Sequence, residues 1–307
     1  MNFSFFSVTS GVCIWAFVSP SGFLFIFISL VIFCFILNFV LQLIFNTTLS
    51  RKIGIVSNNP PVEPRCGWNV IVESKPSEIF IQKYNSSINE DTKIDFSFLL
   101  ILALGRALKK ANLDGKFIFG DFVSTDDVAV MAPVDSAGRI LGPFVSRDTE
   151  KICLYQLREQ LEPKVAIFRI AKSKEAKKRL RALADLPGFV IDIVVTIASF
   201  LSYNLELNIK SLTISKDFFG TCILSNIKEF KEIYDSSAPL VNFARNIISA
   251  TLNSEKERLV VKSGQIQVCK TFLISMIGDS RIISPEQQGV ITSEIKRHFE
   301  NPSLFLS

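Results

Sequence analysis

Hydrophobic and polar positions divide this chain into two unlike parts. The first fifty residues carry no Lys, Arg, Asp or Glu, and within them Phe23 to Phe45 reads FLFIFISLVIFCFILNFVLQLIF. Only Ser29, Asn38 and Gln42 break that run with strongly polar side chains. A helix of these 23 residues rises roughly 35 Å, at about 1.5 Å per residue, against a hydrocarbon core of about 30 Å. The pattern predicts a membrane anchor over residues 1–50. A cleaved signal peptide fits less well: the segment before the run has no basic side chain, the run is long, and no small-residue cleavage pattern follows it. Arg51 and Lys52, with Arg65 beyond, are the first bases after the run. They predict a single span with the C-terminal body in the cytoplasm. Ser19-Pro20-Ser21-Gly22 is a turn sequence, so a hairpin anchor with both ends cytoplasmic is the alternative topology.

Residues 51–66 contain Asn58-Asn59-Pro60-Pro61 and Pro64 and read as a stiff Pro-rich linker. Residues 67–307 then form the body, as one domain or two subdomains. Its pattern switches repeatedly between the strand and helix periods, which predicts a mixed α/β (α+β) body behind an N-terminal transmembrane helix. Trp68–Glu73 and Glu78–Tyr84, split by Lys75-Pro76-Ser77, read as a hairpin of two strands. Phe96 to Lys110 reads as a buried helix capped by Asp95, with its bases at the end that suits the dipole. Lys116–Val123 reads as a strand and 124–148 as irregular and turn-rich. Ile152, Leu154, Leu157 and Leu161 have helical spacing. Lys164–Ile170 reads as a strand; over 189–203 strand and buried helix compete, the β-branched residues favouring strand and the length favouring a helix with Pro187 in its first turn.

In the last third, Leu212–Ile214 and Thr221–Leu224 read as extended. Ile227, Phe230, Ile233 and Tyr234 mark a short helix, and Leu240, Ala244, Ile247, Ile248 and Leu252 a longer one. Leu259–Val261 and Gln265–Cys269 flank the turn Lys262-Ser263-Gly264 as a hairpin. Thr271–Ile277 reads as extended. Ser284-Pro285-Glu286-Gln287 opens a final helix with a capping box.

Composition changes this picture little. The net charge of +5 is modest and the charges are interspersed, so nothing demands nucleic acid. The 28 Phe predict a well-filled core. The six Cys stand no closer than 21 residues apart, which excludes zinc-type pairs. Cys153, Cys222 and Cys269 have apolar neighbours, as free buried thiols do. No phosphate-binding glycine motif occurs, so no cofactor is expected.

Candidate chemistry is sparse. Asp121, Asp126 and Asp127, with Asp135 further on, offer carboxylate oxygens of the kind hard cations take. No Glu or His stands at a telling distance, and a solvated loop without metal is the expectation. His298, the one histidine, reads as a surface residue near a helix C-terminus. Lys172, Lys174, Lys177, Lys178, Arg179 and Arg181 form a basic cluster opposed only by Glu175. They are the candidate contacts for a partner or a small anionic ligand, or else a solvated helix face. The sequence therefore predicts a membrane-anchored, non-enzymatic subunit of a protein assembly, with the bilayer and other subunits as partners. The alternative is a ligand-gated membrane effector whose body senses a small anionic ligand.

Overall fold

Alternation in the strands decides which side of the sheet faces the helices. The computed structural model describes residues 24, 27–33, 36, 65–86, 88, 93–118, 121–125, 127–135, 140–161, 186–207, 219–228, 230, 232–241, 244–262 and 264–306. The chain divides into two compact units, residues 1–57 with 174–195, and residues 58–173 with 196–307.

In the first unit the described N-terminal residues, Leu24, Phe27–Phe33 and Ile36, are helical and exposed. The remainder of the apolar run lies outside the described residues, as do Arg51, Lys52, nearly all of the Pro-rich linker, and the strands expected at Lys164–Ile170 and Leu212–Ile214. Among the described residues no helix is long and apolar enough to cross a membrane. The expectation of a membrane-spanning anchor is corrected accordingly: the helical part that is described is a short one.

The second unit is built on β1 (Arg65–Glu73), α1 (Lys75–Asn85), α2 (Phe96–Lys110), β2 (Gly115–Ile118), β3 (Asp121–Ser124), β4 (Val130–Asp135) and β5 (Ile140–Ser146). The helix α3 (Gly188–Ser199), whose residues 188–195 are counted with the first unit, runs into a π-helical turn at Phe200–Asn204. Then come β6 (Cys222–Asn226), β7 (Ile248–Leu252), β8 (Lys256–Lys262), β9 (Gln265–Asp279), α4 (Pro285–Glu300) and a final 3-10 turn, Pro302–Leu306. Strands β1-β9-β7-β6-β4-β5 form one mixed sheet, with β8 also paired to β9, while β2 and β3 pair separately. The β4/β6 and β6/β7 pairs are parallel and the others antiparallel. Parallel neighbours require long crossovers, and residues 147–221 and 227–247 supply them.

Register places alternate residues in rows. On one face Val70 lies beside Ile274 and Leu252, and Trp68 beside Met276, Ala250 and Leu224. These rows, apart from the half-buried Trp68, are buried and form the core with α2 and α4. Helix α2 is apolar around its whole circumference because it is covered on all sides, and Leu99 to Leu104 are all buried. Asp95 accepts from Ser97 N at 2.9 Å and caps it. The capping box predicted for α4 is present, with Ser284 and Gln287 bonding reciprocally.

Several expectations fail for tertiary reasons. Glu78–Tyr84 is helix rather than strand: Pro76 sits in the first turn of α1, Phe80 stacks on Tyr84 one turn later, and β1 pairs with the far end of the chain. The irregular region 124–148 contains β4 and β5, whose Pro133 and Pro143 face each other. The described residues around Ile227, Phe230 and Ile233 make turns, with Phe230 N donating to Ile227 O at 3.0 Å and Ile233 N to Phe230 O at 2.8 Å, and 248–252 is a strand bonded on both sides. Lys116–Val123 is two strands, β2 and β3, folded on each other.

Candidate functional site

The second face of the sheet is where polar side chains collect. Asn69, Ser275, Thr251 and Ser225 are register partners across β1, β9, β7 and β6, so they point the same way. Ser249 lies two residues before Thr251 and shares this face. Thr251 is 1% exposed, and Ser249 and Ser275 are also buried. Burying hydroxyls on a sheet face is costly unless they are bonded, and most of these are. Thr251 Oγ1 accepts from Ala238 N at 2.8 Å. Asn253 donates to Leu273 O at 3.1 Å and to Ser275 Oγ at 3.0 Å, while its Oδ1 accepts from Ser236 N at 2.8 Å. The β6–β7 crossover is thereby fastened over the row by its own backbone N–H groups.

Ser249 Oγ is the exception: it is buried and has no hydrogen-bond partner among the described residues. Asn246 Oδ1, three residues earlier, is in the same condition, although its Nδ2 donates to Ile248 O at 3.1 Å. Two acceptors left open at the start of β7 mark the part of the row with unused hydrogen-bonding capacity.

On the helix face, next to Ser225, Asn226 donates to Ser97 Oγ at 2.7 Å and accepts from Lys228 N at 3.0 Å. Ser97 Oγ in turn donates to Asp95 at 3.2 Å. Burial pushes the Asp95 carboxyl above its usual range, and the Lys228 charge and the Ser97 hydrogen bonds oppose that shift. This cluster fixes the start of α2 against the end of β6.

The residues singled out from sequence fare differently. Asp121 opens β3 and Asp126 lies outside the described residues. Asp127 is instead drawn to Asp148 and Glu150, with ligand atoms within 4.8 Å of one another. Their oxygens are engaged: Asp127 accepts from Asp148 N at 2.7 Å, Glu150 from Val128 N at 3.1 Å, and Arg147 and Lys151 pair with the cluster. The trio braces a turn. The six basic residues Lys172, Lys174, Lys177, Lys178, Arg179 and Arg181 all lie outside the described residues.

His298 corrects its surface reading. It is 1% exposed. Its Nδ1 is 2.9 Å from Glu294 O, its Nε2 is 3.4 Å from Arg106 Nη1, and its ring packs on Phe305. Burial, with the Arg106 charge, holds its pKa below the ordinary histidine value. Of the three cysteines expected as buried thiols, only Cys222 is fully buried, which pushes its thiol pKa strongly up; Cys153 and Cys269 are half-buried.

The polar row was not visible beforehand because 248–252 has apolar residues at helical offsets from Leu240 and Ala244. The signal that could have found it is the alternation Ile-Ser-Ala-Thr-Leu in β7, matched by Leu-Ile-Ser-Met in β9.

No protein-family model matches this sequence, and no curated protein matches it. Solved structures do. The dihydrolipoamide acetyltransferase of Azotobacter vinelandii, studied for the roles of a Ser, a His and an Asn in its catalytic mechanism, matches with a TM-score of 0.54 at 14% identity. The match covers 87% of this chain and 91% of that one. The cubic core of the pyruvate dehydrogenase multienzyme complex matches at 0.51 and 14% identity, over 87% and 91%. A truncated catalytic core of the 2-oxoacid dehydrogenase multienzyme complex from Thermoplasma acidophilum matches at 0.51 and 12%, over 83% and 94%. The chain therefore has the fold of these acyltransferase cores. With no membrane-length apolar helix among the described residues, that fold corrects the expectation of a membrane-anchored, non-enzymatic interaction subunit, and with it the single-pass localisation. The bilayer and a small anionic ligand gain no support as partners. The last two neighbours are parts of multienzyme complexes.

Proposed function

We propose that this protein is an acyltransferase-fold protein that binds an acyl thioester along the polar row of its sheet and lacks an imidazole to drive transfer. The observation that carries the reading is the buried, unbonded Ser249 hydroxyl in an otherwise bonded row, on a fold shared with acyltransferase cores. Hydroxyl and amide donors held in a water-poor site stabilise a carbonyl oxygen as it gains negative charge. Ser249 is the hydroxyl with donor capacity left for such a ligand, while Asn246 Oδ1 beside it is open only as an acceptor.

The second half of the reading rests on histidine. In the Azotobacter acetyltransferase the Asn stands four residues after the His, and the Ser 52 before it. Here the one histidine is His298; Pro302 stands four residues after it and Asn246 stands 52 before. Its ring is committed to packing and to Glu294 and Arg106. A fold at 14% identity fixes a chain path and not a chemistry, and general-base catalysis needs a group within reach of the proton it takes. Residual transfer then follows the thiolate fraction of the acceptor, rising with pH toward an ordinary thiol pKa of about 8.5.

Titration of the full-length protein with S-acetyldihydrolipoamide, followed by calorimetry, tests this. We expect saturable binding without turnover at pH 7. Ser249→Ala should weaken binding several-fold and leave the melting temperature nearly unchanged, since that hydroxyl bonds nothing now. Absence of binding would remove the reading. Exchange of an isotope-labelled acetyl group from S-acetyldihydrolipoamide onto the thiol of unlabelled dihydrolipoamide, with dihydrolipoamide leaving as the free thiol, at an ordinary enzymatic rate of about 1 s⁻¹ or more would show that another group does the work of histidine.

A further inference from the structure

The hairpin of β8 and β9 extends past the rest of the sheet. β1 pairs with β9 only from Thr271 onward, and β7 only from Ile274. Residues 265–269 of β9 therefore pair only with β8, the Lys270 carbonyl accepting from Ser74, and among the described residues no strand lies on the outer edge of β8. A bare two-stranded ribbon is marginal in water. This one carries Leu259 opposite Val268 and Val261 opposite Ile266, all on one face. They are 74%, 65%, 70% and 72% exposed. The other face is fastened to the body: Lys256 sits 4.8 Å over the Tyr234 ring, Arg258 lies 3.5 Å from Asp235, and Lys262 pairs with Glu73. The apolar face is thus held outward by contacts on its reverse side.

We propose that this ribbon face is a homotypic docking surface, and that its occupant is the same face of a second copy of the chain. Four side chains so exposed leave on the order of 400–500 Å² of apolar surface, the upper range for any patch on a monomer. Two copies facing each other remove about twice that, close to the roughly 1,000 Å² at which specific interfaces begin. Charge agrees. At the base of the same face Glu257 lies opposite Lys270. A two-fold axis running along the ribbon sets β8 of each copy over β9 of the other. It brings Glu257 of each copy against Lys270 of the other, and apolar side chains against apolar side chains. The inference is independent of what the polar row binds.

The test uses the full chain. Leu259→Thr with Val261→Thr, Ile266→Thr and Val268→Thr keeps β-compatible side chains and removes the apolar face. Sedimentation should show the dominant species losing half its mass, with an unchanged far-ultraviolet circular dichroism spectrum. An unchanged mass would overturn the proposal. A photo-crosslinking residue in place of Val261, in the otherwise native chain, keeps the question answerable if the fourfold variant misfolds. Adducts mapping to residues 257–270 of a second copy support the ribbon contact. Adducts to residues 1–64 of the same chain, or to a different protein, would refute it.

Discussion

At the scale of single residues, His298 carries the most consequence. Its burial favours the neutral ring, so its folded pKa lies below the unfolded value of about 6.5. The unfolded chain therefore binds this proton first as pH falls. Stability is fully present above pH ~6.5 and declines as pH falls toward the folded pKa, with a limiting slope of about 1.4 kcal/mol per pH unit for one proton. Glu294 shifts in the same direction for a different reason. Burial alone would raise its pKa, but hydrogen bonds from Arg297 and Lys110 prevail and lower it. Its contribution is lost only in the more acidic range. Chemical denaturation between pH 7 and 5 should show the histidine slope in the native protein, and His298→Gln should flatten it. An unchanged slope in the variant would assign the effect to other groups.

At the scale of elements, α2 shows a propensity argument overridden by packing. Gly105 sits inside this helix, where alanine is ordinarily better by about 1 kcal/mol. A Cβ at Gly105 would lie 2.5–2.6 Å from the Cβ and backbone carbon of Thr149. Thr149 cannot easily yield, because its hydroxyl and N–H both donate to Val128 O, at 2.6 and 3.1 Å. Overpacking of this kind costs roughly 1–3 kcal/mol. Gly105→Ala should therefore destabilise the protein despite the better helix former, by about 1–2 kcal/mol in urea unfolding. A neutral or stabilising result would mean that the 148–150 turn moves aside freely. The start of α2 was legible from Asp95 and the start of α4 from Ser284, because caps act within one turn of chain. Glu78–Tyr84 reads as a strand because Ile79, Phe80 and Ile81 form a short β-compatible apolar run, although Phe80 and Tyr84 also keep helical spacing. Only the engagement of β1 by β9 removed the hairpin alternative.

At the scale of the whole molecule, the first strand of the second unit is held by one of the last. Every residue of β1 from Arg65 to Glu73 has a partner between Asp279 and Thr271. Val70 and Val72 enter the core, Ser77 Oγ donates to Phe299 O at 3.0 Å, and Cys66 Sγ reaches Gly278 O at 3.4 Å. Deleting residues 1–74 should expose the β9 edge and abolish cooperative unfolding, whereas deleting 1–57 should preserve it. Calorimetry on both fragments checks this, and a sharp transition in the shorter one would show β1 to be dispensable. Such distant pairing also predicts slow folding, since the loop must close before the contacts form.

What the sequence determined alone are features whose causes are local. These are the apolar character of the first fifty residues, the capped starts of α2 and α4, the β8–β9 turn at Gly264 and the mixed α/β class. The tertiary structure decided what depends on partners far along the chain. Residues 248–252 became a strand because β6 and β9 flank them. Asp127 was drawn to Asp148 and Glu150, and His298 was sealed beneath Arg106 and Phe305. The row Asn69, Ser275, Thr251 and Ser225 comes from four strands separated by as many as 206 residues, counted from 69 to 275. Side-chain alternation says that each strand has two faces. Register, which hydrogen bonds between strands set, decides which residues meet on them.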